Sequence, residues 1–202
     1  MSRRDRKAGE NRGGILTLQR QDFNCLVHIK NSEEEQRSLH FLRIEVDTFL
    51  VINWYRPGAS EYDGFERLHE ELKAYSGQIS GTIIAGDLNV HHRKWLRFSN
   101  ANTVVGEGLK RVCDYFGLWQ AVKEPTRNEY LLDLVLLDLV GRKCSVIPRI
   151  ADHKGVLIKM PCKEILETVG EREVWHLRGA QWQNLISELK KFDWRELKKR
   201  KC

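Results

Sequence analysis

The chain has 202 residues, 41% of them hydrophobic and 31% charged, which suits one soluble domain with at most an appendage. Lys and Arg number 34 against 28 Asp and Glu, a net +6 that permits a polyanionic partner without demanding one. Five scattered cysteines without a CxxC pair exclude a disulfide framework or a zinc site. No secretory segment or long apolar run is present, so no membrane association and a reduced intracellular setting are expected.

Residues 1–12 are polar and basic without apolar periodicity, which predicts a disordered basic arm; a nuclear-import signal has the same composition. Ile15 to Leu18 is a short apolar run. Phe23, Cys25, Val27 and Ile29 then alternate with polar residues, and an acidic turn at 31–36 separates them from an alternating stretch at 41–46. The run Phe49 to Tyr55 leads into Arg56-Pro57-Gly58. Four strands this closely spaced predict an antiparallel meander.

A helix follows, with Phe65, Leu68, Leu72 and Tyr75 on one face. Glu66, Glu70, Glu71 and Lys73 fall elsewhere on its surface, Asp63 suits the N-cap and Gly77 the stop. Thr82-Ile83-Ile84-Ala85 reads as a buried strand that ends at Gly86. Asp87 and Asn89 are two apart, so a chain still extended there points both side chains the same way; a plain turn explains the same residues. After His91-His92 comes a polar loop to Asn102, in which Arg93, Lys94, Trp95 and Arg97 either grip a phosphate backbone or, for Trp95, pack the loop down.

A second amphipathic helix is predicted over 107–116, then a strand from Leu118 to Val122. Leu131 to Leu137 is apolar except for Asp133, a carboxylate too costly to bury unless it sits at the sheet's end facing a partner or accepts backbone hydrogen bonds. Asp152 and His153 precede a last strand at 156–160, and can enter one site only from the loop before it. Residues 162–202 read as a polar linker and an amphipathic helix that starts near Ala180.

Four stretches in order carry a resemblance: Asn53-Trp54-Tyr55-Arg56-Pro57, Gly86-Asp87-Leu88-Asn89 with His91, His92 and Trp95, Leu132-Asp133-Leu134-Val135-Leu136, and Ala151-Asp152-His153. With Pro125-Thr126-Arg127 before the Asp133 strand, they resemble the endonuclease/exonuclease/phosphatase superfamily, above all the endonuclease domain of non-LTR retrotransposon polyproteins. The resemblance implies a deoxyribonuclease I-like two-sheet α/β-sandwich over 13–161, with a C-terminal helical extension at 162–202. It also implies hydrolysis of a DNA phosphodiester with Mg²⁺, or Mn²⁺ in its place, by a nuclear protein, monomeric and joined in its parent to a reverse transcriptase.

The same likeness assigns roles. Asp87 would activate the attacking water, Asn89 orient it, Tyr55 and His153 contact the phosphate, Asp133 hold the His153 ring, and Asp152 serve the metal. Arg93, Lys94, Trp95 and Arg97 would bind nucleic acid. One departure is expected to matter: the family draws an Asn and a metal-binding Glu from strands before the Gly13-Gly14 point, and Glu10, in a polar arm, is no substitute. The expected domain lacks its N-terminal strands and has impaired cleavage. A remnant that only binds nucleic acid and a phosphatase on the same fold are the competing readings.

Overall fold

The computed structural model describes residues 2–5, 14–20, 25–28, 36–44, 46–58, 64–149, 151–160 and 181–191. They divide between two compact units, Met1–Lys163 and Glu164–Cys202. In the first, β1 (Ser2–Asp5) pairs antiparallel with β2 (Gly14–Thr17), so part of the segment expected as a disordered arm is a strand. The ladder satisfies backbone groups of both strands, which a polar composition does not forbid.

β3 (Cys25–His28), β4 (Gln36–Ile44) and β5 (Asp47–Tyr55) form the expected antiparallel meander, although β2 belongs to a separate ribbon. From β5 the chain crosses through α1 (Phe65–Tyr75) into β6 (Gly81–Asp87), which pairs parallel with β5. A parallel pair needs such a crossover, because its strands enter from the same end. α2 (Val104–Phe116) follows, then the two-residue β7 (Trp119–Gln120) and β8 (Asp133–Leu137). β8 inserts antiparallel between β6 and β7, completing the order β3-β4-β5-β6-β8-β7. β9 (Lys143–Arg149) and β10 (Lys154–Lys159) make a hairpin. The sequence reading missed β9, whose Pro148 and terminal charges blur its alternation.

The two faces of the central sheet are covered differently. One packs on the helices: Trp54 meets Phe65 edge to face at 5.5 Å, and Phe41 meets Tyr75 likewise at 5.0 Å. The other faces β2 and the β9–β10 hairpin. Asn53 Nδ2 donates to Thr17 Oγ1 at 3.0 Å, and Val146, Val156 and Ile158 pack against the core. This is an α/β-sandwich.

Glu71 was expected on the surface of α1. It is buried, 2.8 Å from the equally buried Arg37 of β4, whose guanidinium lies 4.9 Å from the Trp54 ring. A carboxylate is tolerated there because the Arg37 cation replaces its water, and the Trp54 face in turn helps to hold that cation. The predicted N-cap, Asp63, lies outside the described residues, and Gly64 in the left-handed region caps α1 instead. α2 starts three residues earlier than expected, where the Thr103 side chain accepts from Gly106 N–H, and stops at Gly117 with φ +66°.

In the second unit α3 (Trp182–Lys191) is described, with Trp182 and Ile186 exposed and Lys190 and Lys191 in its last turn, where positive charge suits the helix dipole.

Gly86 lets β6 lie against β5. Its φ is +147°, and a Cβ there would collide with the Trp54 carbonyl. Gly86→Ala should therefore lose about 3 kcal/mol or more of stability, measured by urea denaturation. A loss under about 1 kcal/mol would show that the β5–β6 contact relaxes freely.

Candidate active site

The ends of β6 and β8 meet in a fixed register, with Asp87 opposite Asp133. Partners across a ladder project to the same face, so two carboxylates stand side by side at one edge of the sheet. Alternation along β5 puts Tyr55 on that face as well, since Asn53 pairs with Ala85 of β6. Arg56 N–H donates to the Asp87 carbonyl at 2.8 Å, and Leu88 N–H to the Leu132 carbonyl at 3.1 Å. The three strand ends are thereby locked together around Asp87.

Asp133 has the partner its apolar strand requires. His153 Nδ1 lies 2.7 Å from Asp133 Oδ2, and an ionised carboxylate can only accept, so Nδ1–H donates. The ring enters from the loop before β10. The opposite nitrogen, Nε2, is 4.0 Å from Asp152 Oδ2.

Thr126 makes this possible. It is fully buried, and its Oγ1 accepts from Leu132 N–H at 3.2 Å and Asp133 N–H at 3.0 Å, which ties down the start of β8. Its carbonyl accepts from Lys154 N–H at 2.8 Å, one residue after His153. A single residue thus sets both the carboxylate and the imidazole. Sequence reading noted Pro125-Thr126-Arg127 without assigning this role, because the groups Thr126 joins are distant in the chain.

Asp87 carries the site's electrostatic tension. Burial, then the Asp133 charge opposite it, push its carboxyl from 3.8 up to about 6, against the lowering effects of His153 and of Asn89 side-chain and backbone hydrogen bonds. Its Oδ1 is buried with no hydrogen-bond partner. Asn89 reaches its place differently from expectation: φ is +47°, so the chain is no longer extended there. Its Nδ2 donates to the Arg56 carbonyl at 2.9 Å, while Arg56 Nη1 donates to the Asn89 carbonyl at 3.3 Å. Asn89 therefore clamps the β5–β6 ends as well as approaching Asp87.

Asp152 stands at the rim, exposed and ion-paired with Arg127 at 3.0 Å. The loop beyond Asn89 is pinned from within. His92, buried, accepts from Lys94 N–H at Nδ1 (3.2 Å), so Nε2–H donates to Glu107 of α2 at 2.9 Å. Arg93 donates through Nε to the Asn100 carbonyl at 2.8 Å, and Trp95 packs against the core. Lys94 and Arg97 are exposed. Of the loop residues offered for nucleic-acid contact, then, Arg93 and Trp95 are occupied in holding the loop.

Solved structures share this architecture. The endonuclease domain of TRAS1, a telomere-specific non-LTR retrotransposon, is 14% identical with a TM-score of 0.56, covering 72% of each chain. The 3' phosphatase NExo from Neisseria, solved bound to a product DNA hairpin, is 12% identical with a TM-score of 0.50, over 69% of this chain and 80% of that one. No curated protein matches. The fold is that of the endonuclease/exonuclease/phosphatase class, whose members are generally hydrolytic enzymes. Residues 49–156, more than half the chain and spanning every residue from Tyr55 to His153, match the endonuclease-reverse transcriptase family, and the chain belongs to it.

Two measurements probe this geometry. Thr126→Val strands two backbone N–H groups and should cost about 1–3 kcal/mol in urea denaturation, most of it recovered by Thr126→Ser; equal stability of the Val variant would exclude the anchoring role. Asp87 has a folded pKa raised from 3.8 to about 6, so its ionisation withdraws stability as pH rises through that window, fully so above it. Asp87→Asn should stabilise the protein by about 1–2 kcal/mol at pH 8, after allowance for solvent screening, and by nearly nothing below pH ~4. A destabilised variant at pH 8 would mean that Asp87 is not strained.

Proposed function

We propose that this chain hydrolyses phosphodiesters of DNA as a retroelement endonuclease that depends on Mg²⁺. The observation that carries the reading is the Asp87–Asp133–His153 edge. It offers a buried carboxylate poised to take a proton near neutral pH beside an imidazole that Asp133 holds through Nδ1, leaving Nε2 for a phosphoryl oxygen.

Asp87, once ionised, accepts the proton of the attacking water, with a pKa close enough to neutrality for general base work. Asn89, within hydrogen-bonding reach of that carboxylate, orients the water. In its doubly protonated form His153 donates from Nε2 to a phosphoryl oxygen, where charge grows in the transition state, while Asp133, accepting from Nδ1–H, holds the ring in place. Tyr55 contacts the phosphate from the same face. Lys94 and Arg97 supply charge for the nucleic-acid backbone.

One carboxylate oxygen at this edge is open to a divalent cation. Asp87 Oδ1 is buried and unpartnered, and Mg²⁺ is commonly held by one or two carboxylates with substrate phosphate and water. When bound, the ion supplies charge stabilisation at the phosphoryl oxygens. Asp152 can join only by leaving Arg127. Among the described residues no group of three or more His, Cys, Asp or Glu could hold a metal ion. Retention would then rest mainly on Asp87, and we infer slow cleavage. A reverse transcriptase in the parent protein and a nuclear location belong to the same reading.

Supercoiled plasmid incubated with the protein and Mg²⁺ should be nicked slowly, at a rate that falls as pH drops through about 6, where Asp87 takes up its proton. Chelator, Asp87→Ala and His153→Ala should each remove the activity by about a hundredfold or more. Nicking that survives both substitutions would overturn the assignment. DNA binding without nicking at any pH would favour the reading as a binding remnant.

A further inference from the structure

At the end of the β9–β10 hairpin away from His153 lies a cleft of about 460 Å³. Lys123, Arg142, Lys143 and Lys159 line it together with Trp119 and Ser145, and no carboxylate is among its lining residues. Five residues of β10, about 17 Å at a strand's rise, separate it from the loop that holds His153. It therefore does not belong to the Asp87–Asp133 edge.

Two features are hard to explain as ordinary surface. Lys143 and Lys159 are direct partners across the β9–β10 ladder, where like charges repel and destabilise the pairing. Lysines on edge strands do discourage aggregation, but that needs neither an opposed pair nor convergence with two further cations. Second, Trp119 is 41% exposed on the short strand β7, so a large flat ring borders the same cleft. An indole face beside converging ammonium groups matches the recognition of unpaired nucleotides, in which bases stack and phosphates are neutralised. A duplex keeps the faces of its bases stacked on one another and away from the ring.

We propose that this cleft is a second nucleic-acid site, which takes single-stranded DNA or RNA by stacking a base on Trp119 and setting adjacent phosphates among Lys123, Lys143 and Lys159. It would hold an unpaired strand at the side of the sheet remote from the candidate catalytic edge. It does not depend on that edge being active.

The test is fluorescence anisotropy of a labelled 12-nucleotide oligothymidine with the full chain, in chelator, over a series of KCl concentrations. Lys143→Glu with Lys159→Glu should weaken binding more than tenfold and flatten the salt dependence by about 1.4 in log–log slope, two contacts at roughly 0.7 each. Trp119→Ala should weaken binding about tenfold with the slope unchanged, and Trp119→Phe should keep most of the affinity. Circular dichroism and urea midpoints check that each variant is folded. Wild-type affinity in all the variants, or no measurable binding by the wild-type chain at 50 mM KCl, would overturn the proposal. So would equal competition by a 12-base-pair duplex, since that outcome leaves no role for stacking. Plasmid nicking reports separately on the Asp87 edge, so either site can fail alone.

Discussion

Two carboxylates facing each other across one ladder set the terms for everything around them. The β6–β8 register puts Asp87 against Asp133, and like charges so placed repel. The fold resolves the conflict unequally. Asp133 is given an imidazole at 2.7 Å as a hydrogen-bond partner. Asp87 is left with a buried oxygen that no group satisfies and with a proton affinity raised to match. One acid becomes an anchor and the other keeps a raised proton affinity, from the same residue type at the same height in the sheet. Moving either strand by one residue would turn one carboxylate to the helix face and end the arrangement.

The elements with a strong period were legible in advance. β-branched residues at 82–84, alternation into Tyr55 and the apolar stripes of α1 and α2 each declare themselves within a short window. What was hidden depended on partners far along the chain. Glu71 looked like one more acid on a helix surface because its cation, Arg37, comes from a strand two elements earlier. Thr126 carried no signal of its own, since its hydroxyl matters only after β8 and the His153 loop close on it. β9 was missed because a hairpin that is half exposed needs little apolar alternation, and Pro148 reads as a breaker.

The site itself was partly visible. An acid inside the apolar run 131–137 had to face something, and the resemblance to known nucleases named His153 as that something. The geometry of Asn89 was not visible, because two-residue spacing implies an extended chain and the backbone instead turns left-handed. The polar loop after it looked like a ready nucleic-acid grip. Its Arg93 and Trp95 turn out to hold the loop to itself and to the core, leaving Lys94 and Arg97 as exposed charges without that task.

The mixed topology of the central sheet also bears on how the molecule comes together. The β4–β5 ladder begins with Ile44 opposite Asp47, three positions apart in the chain, so it can zip from contacts that are local in sequence. β6 and β8 are separated by α2, β7 and the loops between them, and β6 must also find β5 across a helix. Ladders of this non-local kind close late, after the entropy of long loops has been given up. The meander can thus exist as a folded platform before Asp87 and Asp133 are neighbours. In that order the two acids become neighbours, and begin to repel, only when the β6–β8 ladder closes.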